Sequence, residues 1–86
     1  MTEKDHLRIL IVDDESPARR DLKRMCGKLE GLEVVGEGSE GHEAVKLIKK
    51  LTPDVVLLDI QMPGLDGFQV VARIADLDNA PSIIFI

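Results

Sequence analysis

Two short runs constrain this chain more than anything else in it: Leu7–Val12, apolar except for Arg8, and Val55–Leu58, apolar throughout. Runs this short and this rich in Ile, Val and Leu read as strands buried on both faces, because a strand covered on one face only would alternate apolar with polar. Leu32–Gly36, with Val34 and Val35, and Ser82–Ile86 read as two further strands. Acids follow two of the runs at once: Asp13 and Asp14 after the first, and Asp59 after Leu58.

Between the strands the apolar period changes to that of a helix. Ser16 is the expected N-cap, with Pro17 at the first helical position. Ala18, Leu22, Met25, Cys26 and Leu29 then form one apolar stripe, with Arg and Lys on the opposite side, and Gly31 ends the segment. Ser39–Gly41 turns into a second helix, where Ala44, Leu47, Ile48 and Leu51 share a face. Lys46, Lys49 and Lys50 face water there and suit the negative end of the helix dipole, and Pro53 blocks continuation. A third helix is expected from Asp66 or Gly67 to about Ala75, with Phe68, Val71, Ala72 and Ala75 on one face. Met62-Pro63-Gly64 reads as a loop in which Gly64 or Gly67 supplies a backbone angle closed to other residues. Asp78–Pro81 reads as a turn before the last strand. The order β-α-β-α-β-α-β predicts an α/β fold, a parallel sheet with helices on both faces and right-handed crossovers.

Composition narrows the function. A chain of 86 residues is one domain. Two Phe are its only aromatics, so the core is aliphatic and base stacking is not expected. A formal charge of −5 disfavours nucleic acid and anionic membranes as partners of this segment and suits a cation. The charged stretch Met1 to Arg8 has no apolar core of a signal peptide, and no run approaches a membrane span. Cys26 is the single cysteine, which fits a reduced, cytoplasmic setting and a core position. His42, at a helix start, is expected in solvent.

In open α/β sheets ligands sit beyond the carboxyl ends of the strands, where the strand order reverses. If the first and third strands are neighbours, Asp13, Asp14 and Asp59 converge in one crevice. Three close carboxylates repel, and a hard divalent cation offsets that repulsion. An all-oxygen donor set favours Mg2+ or Mn2+, and the sole Cys with His6 and His42 supplies no zinc spacing.

The stretches Ile9-Leu10-Ile11-Val12-Asp13-Asp14-Glu15 and Asp54-Val55-Val56-Leu57-Leu58-Asp59-Ile60-Gln61-Met62-Pro63-Gly64-Leu65-Asp66-Gly67 together resemble the receiver domain of two-component response regulators. Both occur at the mutual spacing of that family, and the likeness runs from about Leu7 to Ile86. Asp14 to Arg19 further resembles regulators whose output is a LytTR-type DNA-binding domain. The resemblance implies a flavodoxin-like (CheY-like) doubly wound parallel sheet of strand order 2-1-3-4. It implies Asp59 as the phosphoacceptor, charged by a phosphohistidine of a sensor histidine kinase and regulating a transcriptional output. It implies Asp14 as a direct Mg2+ ligand, Asp13 acting mainly through water, and the backbone carbonyl of Gln61 as a further ligand. The module is then a signalling acceptor rather than an enzyme.

The family pattern continues with a Ser or Thr after the fourth strand, a fifth strand ending in Lys, and two more helices. None of these lies within the 86 residues, so residues 1–86 are expected to form a partial receiver domain. Metal binding is expected to survive and switching to suffer. Ser82–Ile86 is expected to act as an apolar edge that pairs with a second copy, giving a homodimer. One alternative is therefore a switch-deficient receiver that oligomerises or binds partners. Another is a Mg2+-dependent phosphohydrolase of the haloacid-dehalogenase type. That chemistry wants a second Asp two positions after the nucleophile, where Gln61 stands.

Overall fold

A computed structural model describes residues 6–86. The start of the chain, Met1 to Asp5, on which the expectation about a signal segment largely rests, lies outside the described residues. The elements run β1 (Leu7–Val12), α1 (Ser16–Gly27), β2 (Leu32–Gly38), α2 (Gly41–Leu51), β3 (Val55–Leu58), α3 (Gly67–Ile74) and β4 (Ser82–Phe85). All strand pairs are parallel and the sheet order is β2-β1-β3-β4. This is the order expected from the sequence, and the fold is flavodoxin-like.

β1 is central because it is apolar on both faces. Leu10 and Val12 point to one layer, with Val56 and Leu58 of β3, Ala44 and Ile48 of α2, and Val70 and Ile74 of α3. Ile9 and Ile11 point to the other, where Cys26 and Leu22 of α1 cover them. Each such side chain, fully buried, contributes about 1.5–3 kcal/mol relative to leaving it in water.

Three helical details depart from expectation. α1 begins one residue early, with Glu15 at the N-cap and Ser16 inside the helix. The reason is the acidic loop before it: Asp13 Oδ1 accepts the Glu15 N–H at 2.9 Å and turns the chain sooner. The buried stripe of α1 is also narrower than predicted. Ala18, Leu22 and Cys26, one i, i+4, i+8 row, face the sheet, whereas Met25 and Leu29 are about 60% exposed. Gly27 ends the helix, so Leu29 lies beyond the helical period. In α3 the inward row is Val70 and Ile74 with Val71 beside it. Phe68, Ala72 and Ala75 are exposed, and Phe68 packs instead on Phe85 of β4, with ring centroids 5.1 Å apart.

β2 runs two residues further than predicted and carries an irregularity. Ile9 pairs with Val34, but Leu10 pairs with Gly36, so Val35 is an extra residue opposite β1. The shift turns Gly36 toward α2, where an added Cβ would lie 2.8 Å from Leu51 Cδ1. It also sets Glu37 opposite Ile11, on the α1 side. α2 keeps its predicted face; Glu40 caps it by accepting the N–H groups of His42 and Glu43. Thr52, at φ 44°, terminates it in the left-handed region before Pro53. The turn after α3 leads into β4, which has no further partner strand among the described residues and whose Ile84 and Phe85 are exposed. No helix among the described residues is long and apolar enough to cross a membrane.

Gly41, at the start of α2, lies against the loop after β3: an added Cβ would collide with the Leu65 carbonyl oxygen and lie 2.5 Å from Leu65 Cβ. Gly27 has nothing within 4 Å of that position. Gly41→Ala is therefore expected to destabilise the fold by about 1–3 kcal/mol. Gly27→Ala is expected to stabilise it by up to about 1 kcal/mol. Urea unfolding midpoints of the two variants check both signs.

Candidate metal centre

β1 and β3 are adjacent, and Val12 pairs with Leu58. The residues after them, Asp13 and Asp59, therefore leave the sheet at the same level, and the Asp59 N–H donates to the Val12 carbonyl at 2.9 Å. Asp14 follows Asp13 into the same crevice. One carboxylate oxygen from each of Asp13, Asp14 and Asp59 lies within 4.8 Å of the others. The three predicted acids are thus brought together at the C-terminal end of the sheet.

Their environments differ. Asp13 is buried, only 9% exposed, with Oδ1 taken by the Glu15 N–H. Asp14 is exposed, and Asp59 is half-buried. Gln61 joins the site through its backbone N–H, which donates to Asp59 Oδ1 at 3.2 Å. Burial pushes the Asp59 carboxyl above its ordinary value; the Gln61 N–H pulls it back, and the charges of Asp13 and Asp14 push it up further. The ion pairs among the described residues join Arg19 and Lys23 to Glu37 and Arg24 to Asp21, so none neutralises an aspartate of the crevice. Clustered oxygen donors with uncompensated negative charge suit a hard divalent cation.

The loop after β3 is held by α3. Asp66 accepts the Gln69 N–H, and the Gln69 side chain accepts the Asp66 N–H in return. The Gly67 N–H donates to the Ile60 carbonyl at 2.7 Å. A Cβ on Gly67 would lie 2.9 Å from the Asp59 carbonyl oxygen, so only glycine lets the helix start this close to Asp59. Gly64, at φ 76°, is the glycine that supplies the left-handed angle. An open groove of about 560 Å3 lies elsewhere, along α2, lined by Ser39, Glu40, His42, Glu43, Lys46, Leu47 and Lys50. It has no share in the acidic crevice.

One participant was not foreseen. Arg19, expected on the solvent side of α1, is half-buried, and its Nη1 donates to the Asp13 carbonyl at 2.7 Å. Two sequence signals could have found it: its place near the start of the helix after the acid pair, and its position at the end of the Asp14 to Arg19 stretch.

A parallel sheet of order 2-1-3-4 flanked by three helices defines a receiver-type, flavodoxin-like fold. The chain matches the response regulator receiver domain across residues 9–86, and it belongs to that family. It is 51% identical over 80 residues to the positive alginate biosynthesis regulatory protein of Pseudomonas aeruginosa, covering 92% of this chain and 32% of that protein. The signal receiver domain of the putative response regulator NarL from Mycobacterium tuberculosis superposes with a TM-score of 0.87 at 35% identity, over 94% of this chain and 65% of that one. A CheX–CheY–BeF3–Mg2+ complex from Borrelia burgdorferi superposes with a TM-score of 0.84 at 31% identity, over 92% and 60%. The chain spans about a third of the length of the first curated relatives it matches.

The raised Asp59 value sets a stability test. A carboxyl whose folded pKa exceeds its unfolded value of 3.8 favours the fold only while protonated; that contribution is complete below 3.8 and lost as pH rises through the folded value. Asp59→Asn removes the charge, and its Oδ1 still accepts the Gln61 N–H. In chelator-treated protein the variant is expected to melt above the wild type at neutral pH, with the gap closing below pH 3.8. Excess Mg2+ is expected to reverse the order by binding the folded wild type. Thermal melts followed by circular dichroism check all three points.

Proposed function

We propose that the chain is the phosphoacceptor receiver module of a two-component phosphorelay, with Asp59 as the residue that takes the phosphoryl group. The observation that carries this reading is the convergence of Asp13, Asp14 and Asp59 at the ends of adjacent strands, with carboxylate oxygens within 4.8 Å. In the proposed step an Asp59 carboxylate oxygen attacks the phosphorus of a phosphohistidine on a sensor histidine kinase. The new O–P bond forms as the P–N bond breaks, and the departing imidazole nitrogen takes a proton from solvent. The product is an aspartyl phosphate, an established outcome for nucleophilic carboxylates.

Asp13, Asp14, Asp59 and the Gln61 backbone carbonyl are the proposed holders of Mg2+ or Mn2+. When bound, the metal supplies charge that offsets the crowded acids and the phosphoryl oxygens. The chain itself supplies positioning. The Gln61 N–H orients Asp59 at 3.2 Å, and the Glu15 N–H fixes Asp13 at 2.9 Å. Asp14, exposed, is free to meet an ion directly. The module regulates a transcriptional output in this reading and is not itself an enzyme. Its setting is the cytoplasm, where its kinase partner would present the phosphohistidine.

Incubation with Mg2+ and acetyl phosphate, followed by intact-mass measurement, tests the acceptor role. One added phosphoryl group is expected, absent in Asp59→Asn and strongly reduced when a chelator replaces Mg2+. An adduct that persists in Asp59→Asn, or none in the wild type, overturns it.

A further inference from the structure

We infer that Arg19 is a positioning residue of the acidic pocket, acting through the peptide between Asp13 and Asp14. The inference rests on the metal-binding reading above. Arg19 stands in the first turns of α1, yet its guanidinium turns back to two other elements. Its Nη1 donates to the Asp13 carbonyl at 2.7 Å, and its Nε donates to Glu37 Oε1 at 3.3 Å. Glu37 in turn takes Lys23 Nζ on its other oxygen at 2.7 Å. Lys23, first, and Arg19 hold the Glu37 carboxyl below its ordinary value, so Glu37 is a charged anchor for the guanidinium.

The consequence follows from peptide geometry. The Asp13 carbonyl and the Asp14 N–H belong to one planar unit. The Asp13 N–H is already committed to the Gly38 carbonyl at 3.1 Å, and its Oδ1 to the Glu15 N–H. With Arg19 on its carbonyl, Asp13 is held at every polar backbone atom, and the plane that leads into Asp14 cannot turn. Asp14 is the exposed member of the three acids, and no ion pair among the described residues ties its carboxylate in place; the carboxylate beside it, that of Asp59, carries a like charge. Its direction toward Asp59 therefore depends on the peptide before it. The guanidinium presents separate N–H groups in a fixed fork to the carbonyl and to Glu37, whereas an ammonium presents its donors from one freely rotating nitrogen. The bulge in β2 makes the brace possible, because it turns Glu37 to the α1 side.

The test compares Arg19→Met, Arg19→Lys and Glu37→Gln with Lys23→Met, which removes an exposed ion pair but leaves the Asp13 carbonyl bond. Two readouts are used: Mn2+ affinity by electron paramagnetic resonance, and the Asp13 carbonyl carbon shift by NMR in metal-free protein. Arg19→Met is expected to weaken Mn2+ binding about tenfold, as loss of a group that orients a metal ligand does. It is also expected to move the Asp13 carbonyl signal toward its non-hydrogen-bonded position. Glu37→Gln is expected to do both to a smaller extent, Arg19→Lys to rescue only partly, and Lys23→Met to do neither. Unchanged Mn2+ affinity and an unmoved carbonyl signal in Arg19→Met overturn the inference, as does full rescue by Arg19→Lys, which would reduce the role to charge. A wild type that binds no Mn2+ overturns the metal reading alone, and the carbonyl shift then decides the brace. If Arg19→Met does not fold, the Glu37→Gln and Lys23→Met pair decides it.

Discussion

The parallel pairing of β1 with β3 is the interaction on which the rest depends. It aligns Val12 with Leu58, and so brings acids 46 residues apart, Asp13 and Asp59, out of the sheet side by side. Burial drives that pairing against an electrostatic cost. Two like charges about 4 Å apart at an effective dielectric near 20 repel by about 4 kcal/mol, less where solvent reaches them as it does Asp14. Leu10, Ile11, Val12, Val56 and Leu58 are all fully buried by the same pairing, each contributing about 1.5–3 kcal/mol. The apolar strands outweigh the acids they carry.

The loops around the crevice are tied down by hydrogen bonds and by a close approach of backbone to backbone. Asp13 spends a carboxylate oxygen on the Glu15 N–H, which starts α1 early. Gly67 lets α3 begin against the Asp59 carbonyl, and the Asp66–Gln69 box locks that beginning. Asp59 is thus flanked by a strand hydrogen bond on one side and a capped helix on the other. A rigid surround suits chemistry that consists mostly of positioning and charge stabilisation.

Much of this was legible because the pattern was simple. Strands apolar on both faces announce themselves, and acids directly after them can only emerge at the sheet's carboxyl end. The predicted faces of α1 and α3 were less accurate, for one shared reason. Periodicity says that a helix has an apolar side, but not how wide a strip the sheet covers. Met25 and Leu29 fall outside the strip beneath α1, and Phe68 turns to Phe85 rather than inward. An aliphatic or aromatic side chain at the margin of a stripe is assigned by its three-dimensional neighbours alone.

The acids meet as the sequence suggested: Asp13 and Asp59 each stand directly after an apolar run and Asp14 follows Asp13, so alternation of strand and helix sufficed to place them at strand ends. Which strands lie side by side is a different matter, because it depends on how three helices divide two faces of a sheet. The extra residue in β2 is of the same kind. Simple alternation from Val34 would send Glu37 to the wrong face, and only the packed register against β1 turns it toward α1. There it meets Arg19 and links the helix to the Asp13 peptide. Local pattern determined where the charges leave the strands; non-local packing decided which of them meet and what holds them still.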